Sequence, residues 1–574
     1  MFVNNNSLLF WKKVSNELVT WQKKPTKIFK INNGFKWFYD GKLNVYENCI
    51  LKNNENKIAL TCVDKNLKFK NYTFGEIDNL VTQLEKKILL RNKKINNLKV
   101  MIRASASIES AISMLLCLKN GLHFCVLFED LELKAILKRI NQFRPDIILS
   151  RIDKFNNQLN KSVKKIIKIS FKKIKKNSFS KNKIKYFSSD KDLFTLFTSG
   201  STGHPKGIVH STGGYLTYAI YTCKKQFGLN AKSIICTASD AGWINGHTYS
   251  LIGPLALSSR SILLETPTLL LNQKILQKIL DLKTDTLYLP VTLIRMMREV
   301  YRNTKFKNHN VKLLGSMGEP LAFEIGNWIS KKFKINNKAI INTYYQTETG
   351  GIICSPNFEE TTLISPHGSV GNVISKHIKI TKLNKKQKKE IEILTPWPGC
   401  MKRVLNGKKV FDNYWSKNGN FKMFDYGTIH KSIGNKSHIN IHGRIDDVVN
   451  IRGHRIGSEE IESVLLESNR IIECAAISLP DNLEGNNFYV FIVSKIKKEN
   501  YVEELIVNNF GTWAIPRKIY FVDELPKTRS GKILRRLLRN LILDPENTSK
   551  KDDFSTILNK EIIKSITSII ISTN

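Results

Sequence analysis

Apolar residues recur with helical spacing from Phe74 to Leu90 and again from Ser107 to Asn120, whereas Val100-Met-Ile-Arg and Cys125-Val-Leu-Phe are short apolar runs of strand type. Helix and strand patterns that alternate in this way predict βαβ units and a parallel sheet between Tyr72 and Ile147. The first 60 residues predict aromatic, loop-like segments such as Phe35-Lys-Trp-Phe-Tyr-Asp-Gly-Lys-Leu-Asn. Lys161 to Lys191, rich in Lys, Ser and Asn, predicts an exposed connection with weak strand content. Near Gly443-Arg-Ile-Asp-Asp the pattern changes. Val448 to Arg455 predicts a short strand, and Ser458 a helix N-cap with Glu459 and Glu460 in the first turn. Ala475-Ala-Ile-Ser-Leu and Phe488-Tyr-Val-Phe-Ile-Val predict further strands among helical segments. The fold class expected is α/β: a large N-terminal domain of layered sheets and helices over residues 1–445, and a small α+β domain over residues 446–574.

Length agrees with this division, because 574 residues exceed the roughly 250–300 that one hydrophobic core accommodates. An apolar content of 41% and a charged content of 24% fit a soluble globular enzyme. No run approaches the roughly 20 apolar residues of a membrane helix; the stretch from Ile562 to Ile571 is broken by Lys, Ser and Thr. The N-terminus lacks the pattern of a secretory signal, so the expectation is a cytoplasmic protein. Nine cysteines are scattered from Cys49 to Cys474 without a C-x-x-C pair, which predicts reduced, buried thiols rather than disulfides or a zinc site. The net charge of +42 comes mostly from Lys spread along the whole chain beside abundant Asn and Ile. Biased coding alone would produce that mixture, no nucleic-acid-binding motif accompanies it, and neither a nucleic acid nor a membrane is expected as partner.

The strongest local signal is Phe197-Thr-Ser-Gly-Ser-Thr-Gly-His-Pro-Lys-Gly207. Gly200, Gly203 and Gly207 let the backbone turn tightly and approach a ligand. The hydroxyls of Thr198, Ser199, Ser201 and Thr202, the loop amides and Lys206 are donors suited to a polyphosphate. The segment does not fit the Walker pattern, in which Gly-Lys is followed by Ser or Thr.

Here the chain resembles the adenylate-forming superfamily, whose phosphate loop reads T-S-G-S-T-G-x-P-K-G, and the likeness continues in order. Gly315-Ser-Met-Gly-Glu-Pro resembles the segment that packs on adenine, which implies ATP contacts by Gly318, Glu319 and Pro320. Thr343-Tyr-Tyr-Gln-Thr-Glu-Thr-Gly-Gly resembles the segment in which Thr347 touches the α-phosphate and Glu348 holds Mg²⁺, with Thr343, Tyr344, Tyr345 and Gln346 beside the nucleotide. Asp425 stands where the family's aspartate grips the ribose hydroxyls, and Arg444 matches a second ribose contact. Asp446 matches the hinge of a mobile C-terminal domain, and Lys532 in Leu-Pro-Lys-Thr-Arg-Ser-Gly-Lys matches the catalytic lysine. The resemblance also assigns Arg455 to the ATP-binding set and to the face used in thioester formation, and Gly453 and Arg151 to coenzyme A.

Within the superfamily the chain is most similar to the acetyl-CoA synthetase branch. The residues that carry this are the 35–44 segment, Val209-His-Ser-Thr-Gly-Gly-Tyr-Leu, Asp240-Ala-Gly-Trp-Ile-Asn-Gly-His and Asn450-Ile-Arg-Gly-His-Arg-Ile-Gly. The resemblance implies an AMP-forming acyl-CoA synthetase: a small carboxylic acid is adenylated with ATP and Mg²⁺, then passed to coenzyme A. The positive field would draw in both anionic substrates. Two departures bear on coenzyme A. Val507, Asn508 and Asn509 stand where the family has basic residues before the glycine matching Gly511, and the region 151–191 is shortened. The acyl pocket also differs from that of acetate-specific relatives, with Ile244, Asn245, Met317 and Tyr345 in place of Val, Thr, Val and Trp. Alternatives are another small acid (propionate-like or hydroxylated), a thiol acceptor other than coenzyme A, and a basic nucleotide-binding scaffold without catalysis. The family's lysine acylation further implies acylating and deacylating enzymes that act on Lys532.

Overall fold

A computed structural model of the chain describes residues 4–573 except 33, 91–94, 155, 164, 172–178, 180–183, 199–204, 308, 320, 336–339, 360–368, 384, 386–387, 432–436, 445–447, 452–453, 482–484, 528–532, 552–556, 558 and 560. The alternating pattern of the N-terminal half becomes helices and strands close to where it predicts them. Phe74–Leu89 is a helix closed by a capping box, in which Thr73 Oγ1 accepts from Glu76 N at 3.2 Å while Thr73 N donates to Glu76 Oε2 at 2.9 Å. Ser107 caps the helix Ile108–Asn120 in the same way, with Ser110 as its partner.

Two seven-stranded sheets form the large domain. The first runs in the order Arg403–Val404, Lys206–Ser211, Asp192–Thr198, His123–Leu127, Lys99–Arg103, Ile147–Ser150, Lys165–Lys168, parallel from Asp192–Thr198 onward. The second runs Ile341–Asn342, Leu313–Met317, Thr286–Pro290, Ile234–Thr237, Arg260–Leu264, Ile58–Val63, Phe69–Thr73, and only its last pair is antiparallel. Helices that include Phe74–Leu89, Ile108–Asn120 and Thr212–Phe227 contribute to a continuous apolar core with residues of both sheets. A third, antiparallel sheet joins Lys389–Ile393, Phe421–Lys431 and Ser437–Arg444. Beyond it, Ile471–Asp481, Gly485–Ser494 and Lys518–Phe521 form a small sheet. The two apolar clusters around that sheet draw all their buried residues from Ile456 onward, so the C-terminal part has a core of its own.

Three expectations need correction. The loop-like N-terminus contains the helix Asn5–Leu18, which buries Ser7, Trp11, Val14 and Ser15, one helical stripe whose two serines hide it from a purely apolar count. Val448 to Arg455 is half of a hairpin, Val448–Ile451 paired with His454–Gly457, rather than one strand. Ser458 is the first residue of the helix Ser458–Glu467 and not its cap; Gly457 N donates to Glu460 Oε1 at 2.8 Å instead. All nine cysteines are free and none is exposed, as their dispersal predicts.

Candidate active site

The site residues sit where strands end. Met317 closes one parallel strand of the second sheet and Gly318-Glu319 follow it; Asn342 closes the next, and Thr343 to Thr349 follow. The carboxyl ends of parallel strands are the usual place for a ligand crevice in such sheets. On the first sheet, Thr198 is paired in register with Lys206 across an antiparallel hairpin, so both lie at the mouth of the glycine-rich loop.

Asp425 gathers three segments. Its side chain, only 6% exposed, accepts from Tyr344 Oη at 2.6 Å and Gln346 Nε2 at 2.8 Å, both on Oδ2. Arg444 Nη1 stands 3.7 Å from Oδ1, and Asp425 and Arg444 are register partners in the third sheet. The strand is bent for this purpose: Phe424 has φ of 55°, and the pairing shifts between Asp425 and Gly427. A bulky residue in the left-handed region together with a bulge re-aims the aspartate. Burial and the neighbouring Asp425 carboxylate push the Tyr344 hydroxyl well up, so it remains a donor.

Glu348 sits in the short 3₁₀ turn Thr347–Thr349 and is 8% exposed. Its Oε1 accepts from Tyr414 Oη at 2.6 Å. The turn is held from all sides. His210 Nε2 donates to the Thr347 carbonyl at 2.8 Å, Trp397 Nε1 to that of Thr349 at 3.0 Å, and Met401 N to that of Glu348 at 2.8 Å. Burial pushes His210 down to about 4, so the ring is neutral at ordinary pH and its Nε2–H is available to donate. Gly350 ends the turn at φ of 71°, and a Cβ there would lie 2.2 Å from the Gly399 carbonyl oxygen. Lys206 Nζ lies 5.3 Å from the Tyr414 ring centre.

The four residues assigned to the acyl pocket come together in part. Tyr345 Oη donates to Asn245 Oδ1 and lies 3.8 Å from Met317 Sδ, which Asn245 Nδ2 also touches. Tyr288 Oη stands 3.2 Å from Tyr345 Oη and 2.8 Å from Thr343 Oγ1, so the hydroxyls form a chain. Ile244, 4% exposed, belongs to the core cluster against which Tyr345 packs. Glu319 is held by Arg295 Nη1 at 3.0 Å.

Arg151 is occupied. Its guanidinium bonds Glu129 Oε1 at 3.0 Å and Glu265 Oε1, with Glu109 at 4.0 Å, at a junction of the two large sheets. Ser199, Gly200, Ser201, Thr202, Gly203, Pro320, Asp446, Gly453 and Lys532 lie outside the described residues, and of Arg455 only the backbone, paired with Asn450, is described. Sequence reasoning missed Tyr414, His210, Trp397 and Arg295. His210 stands in the Val209-His-Ser-Thr-Gly-Gly segment but the resemblance gives it no site role there, and for the first three the contacts reach across 48 to 137 positions.

The chain matches the AMP-binding enzyme family over residues 48–404, the AMP-binding enzyme C-terminal domain over 460–532 and the acetyl-coenzyme A synthetase N-terminus over 3–49. An acetyl-coenzyme A synthetase of Helicobacter pylori (strain G27) is 30% identical, the alignment covering 98% of this chain and 93% of that protein. One of Pasteurella multocida (strain Pm70) is 29% identical over the same shares. Among solved structures, acetoacetyl-CoA synthetase from Streptomyces lividans superposes with a TM-score of 0.82 over 99% of this chain and 93% of that one; at 16% identity the likeness concerns the fold.

Proposed function

The chain belongs to the AMP-binding enzyme family, and from that premise we propose that it is an AMP-forming acyl-CoA synthetase for a small carboxylic acid. The single observation that carries the reading is the convergence on Asp425 of Tyr344 and Gln346 from one segment and Arg444 from another, segments that match the family's nucleotide site. A buried carboxylate held by fixed donors, with an arginine beside it, suits two vicinal hydroxyls such as those of a ribose.

A carboxylate is a poor electrophile, so its oxygen first attacks the α-phosphorus of ATP and the bond to pyrophosphate breaks. A thiol sulfur then attacks the acyl carbon, the bond to the AMP oxygen breaks, and the thiol proton is lost to AMP or solvent. In both steps negative charge spreads over phosphoryl oxygens, and catalysis consists of positioning and charge neutralisation. Thr198, Lys206 and the loop between them would hold the leaving phosphates, Thr347 the α-phosphate, and Asp425 with Arg444 the ribose. Lys532 would bridge the acid and the α-phosphate; its sequence context supports this role.

Among the described residues no group of three or more His, Cys, Asp or Glu side chains could hold a metal ion. A nucleotide-borne Mg²⁺ needs only one or two carboxylates besides phosphate oxygens and water. Glu348, buried and anchored through one oxygen by Tyr414, fits that demand. Bound there with ATP, Mg²⁺ would neutralise phosphate charge.

Coenzyme A is the acceptor proposed. The commitment of Arg151 to Glu129 and Glu265 favours a second reading, in which another thiol, such as that of a carrier protein, takes the acyl group. The demand for ATP and coenzyme A supports a cytoplasmic location. For the acid, the hydroxyls of Tyr288 and Tyr345 and the Asn245 amide support a polar acid of two to four carbons rather than acetate. A polar pocket rejects an analogue that lacks its hydroxyl far more strongly than an apolar one separates neighbouring homologues.

Pyrophosphate exchange with and without coenzyme A, run with acetate, propionate, butyrate, lactate, 3-hydroxypropionate and octanoate, tests all of this. Exchange without coenzyme A consumption selects the other thiol, and no exchange with any acid removes the enzyme reading. A preference for acetate removes the polar acid, and strong activity on octanoate removes the small pocket.

A further inference from the structure

Tyr414 follows the short helix Lys408–Asp412, and only 4% of its surface is exposed. Its ring stacks on Phe421, with centroids 5.7 Å apart and planes at 15°, and meets Phe424 edge-on at 5.5 Å. Its backbone is fixed as well: Tyr414 N donates to the Phe411 carbonyl at 3.1 Å, and Lys422 N donates to the Tyr414 carbonyl at 2.8 Å. A ring locked in this way has a hydroxyl and a π face pointing in set directions. The hydroxyl meets Glu348 Oε1 at 2.6 Å, and Lys206 Nζ lies 5.3 Å from the ring centre. Glu348 lies 66 positions before Tyr414 and Lys206 still further, on different elements.

We propose that Tyr414 is a positioning residue for metal-bound ATP: its hydroxyl orients the Glu348 carboxylate and its ring face parks Lys206 at the mouth of the phosphate loop. The proposal rests on the function argued above. A carboxylate that accepts a phenol hydrogen through one oxygen is fixed in rotation, so its second oxygen faces a set direction. Lys206, in turn, has an aromatic face that keeps its ammonium in place while it meets the phosphates. The two contacts act on different parts of the nucleotide complex, which makes them separable.

Calorimetric titration of the full chain with ATP, with and without Mg²⁺, reads this directly, with thermal melting as the control. Tyr414→Phe keeps the ring and removes the hydroxyl. It should weaken binding of Mg²⁺·ATP roughly tenfold, the scale of a lost hydrogen bond to a charged group. Binding of metal-free ATP should change less than about twofold, because the ring contact with Lys206 persists. Tyr414→Leu should weaken both forms. In the Glu348→Gln background, Tyr414→Phe should add little, since the two residues then act as one unit. Equal weakening of both ATP forms by Tyr414→Phe, or a lower melting temperature with unchanged binding, would overturn the proposal and leave Tyr414 as packing. Because these are binding measurements, they stand apart from pyrophosphate exchange: an inactive chain that still shows the split would refute the enzyme reading and keep this one.

Discussion

Single residues divide into those whose type discloses their task and those whose task depends on neighbours far along the chain. Asp425 and Glu348 are of the first kind in that their motifs single them out, and the structure buries both, Asp425 against Tyr344 and Gln346 and Glu348 against Tyr414. Arg151 is of the second. As a cation near the shortened region it reads as a coenzyme A contact, but Glu129 lies 22 and Glu265 114 positions away, and together they claim its guanidinium. The pairing leads to a prediction. Arg151→Met leaves two buried carboxylates without their cation, and breaking such a pair costs about 3–5 kcal/mol. Urea unfolding should therefore show a large loss of stability. The KM for coenzyme A at a permissive temperature should move less than threefold or so, since Nε and Nη2 are engaged by Glu129 and Glu265. A large rise in that KM with stability unchanged would restore the coenzyme A role.

Elements were legible where burial follows a simple period. The helix Phe74–Leu89 and the strands Lys99–Arg103 and His123–Leu127 match their patterns because one face or both faces are apolar. The helix Asn5–Leu18 escaped because serines occupy half its buried stripe, and the hairpin at 448–457 because its two strands are too short to alternate visibly. The site's own element, the turn Thr347–Thr349, carries no periodicity at all; glycine makes it possible. At Gly350 the left-handed backbone and the approach of the Gly399 carbonyl both exclude a side chain. Gly350→Ala should shift the turn that presents Thr347 and Glu348. The left-handed conformation alone costs about 1–2 kcal/mol, and the clash adds to it. ATP binding by calorimetry should fall by at least roughly tenfold while the far-ultraviolet circular dichroism stays native. Undiminished binding would mean that the turn tolerates the shift and does not position the nucleotide.

At the scale of the whole molecule, two apolar clusters draw their buried residues from Ile456 onward and the others from residues before it. Among the described residues, polar pairs that cross include Lys388 with Glu460, Arg298 with Asn469, and Lys495 with Glu299 at 3.5 Å. The Lys495 pair, with side chains 58% and 31% exposed, belongs to the class worth about 0–1 kcal/mol and is easily exchanged for water. Such pairs are compatible with the swing about Asp446 that the family resemblance implies, by which one site would serve two half-reactions in turn. Lys532 would then face the nucleotide during adenylation and be elsewhere when the thiol attacks. Lys532→Ala should abolish pyrophosphate exchange, because the acid and the α-phosphate lose their shared cation. It should leave thioester formation from a supplied acyl-adenylate within a few-fold of the parent chain. Acylation of Lys532 removes the same charge, so protein acylated at that lysine, identified by mass spectrometry, is expected to show the same division and to recover exchange on deacylation. Both half-reactions falling together would mean that the lysine stays at the reacting centre throughout, and the two-position account of the domain would fail.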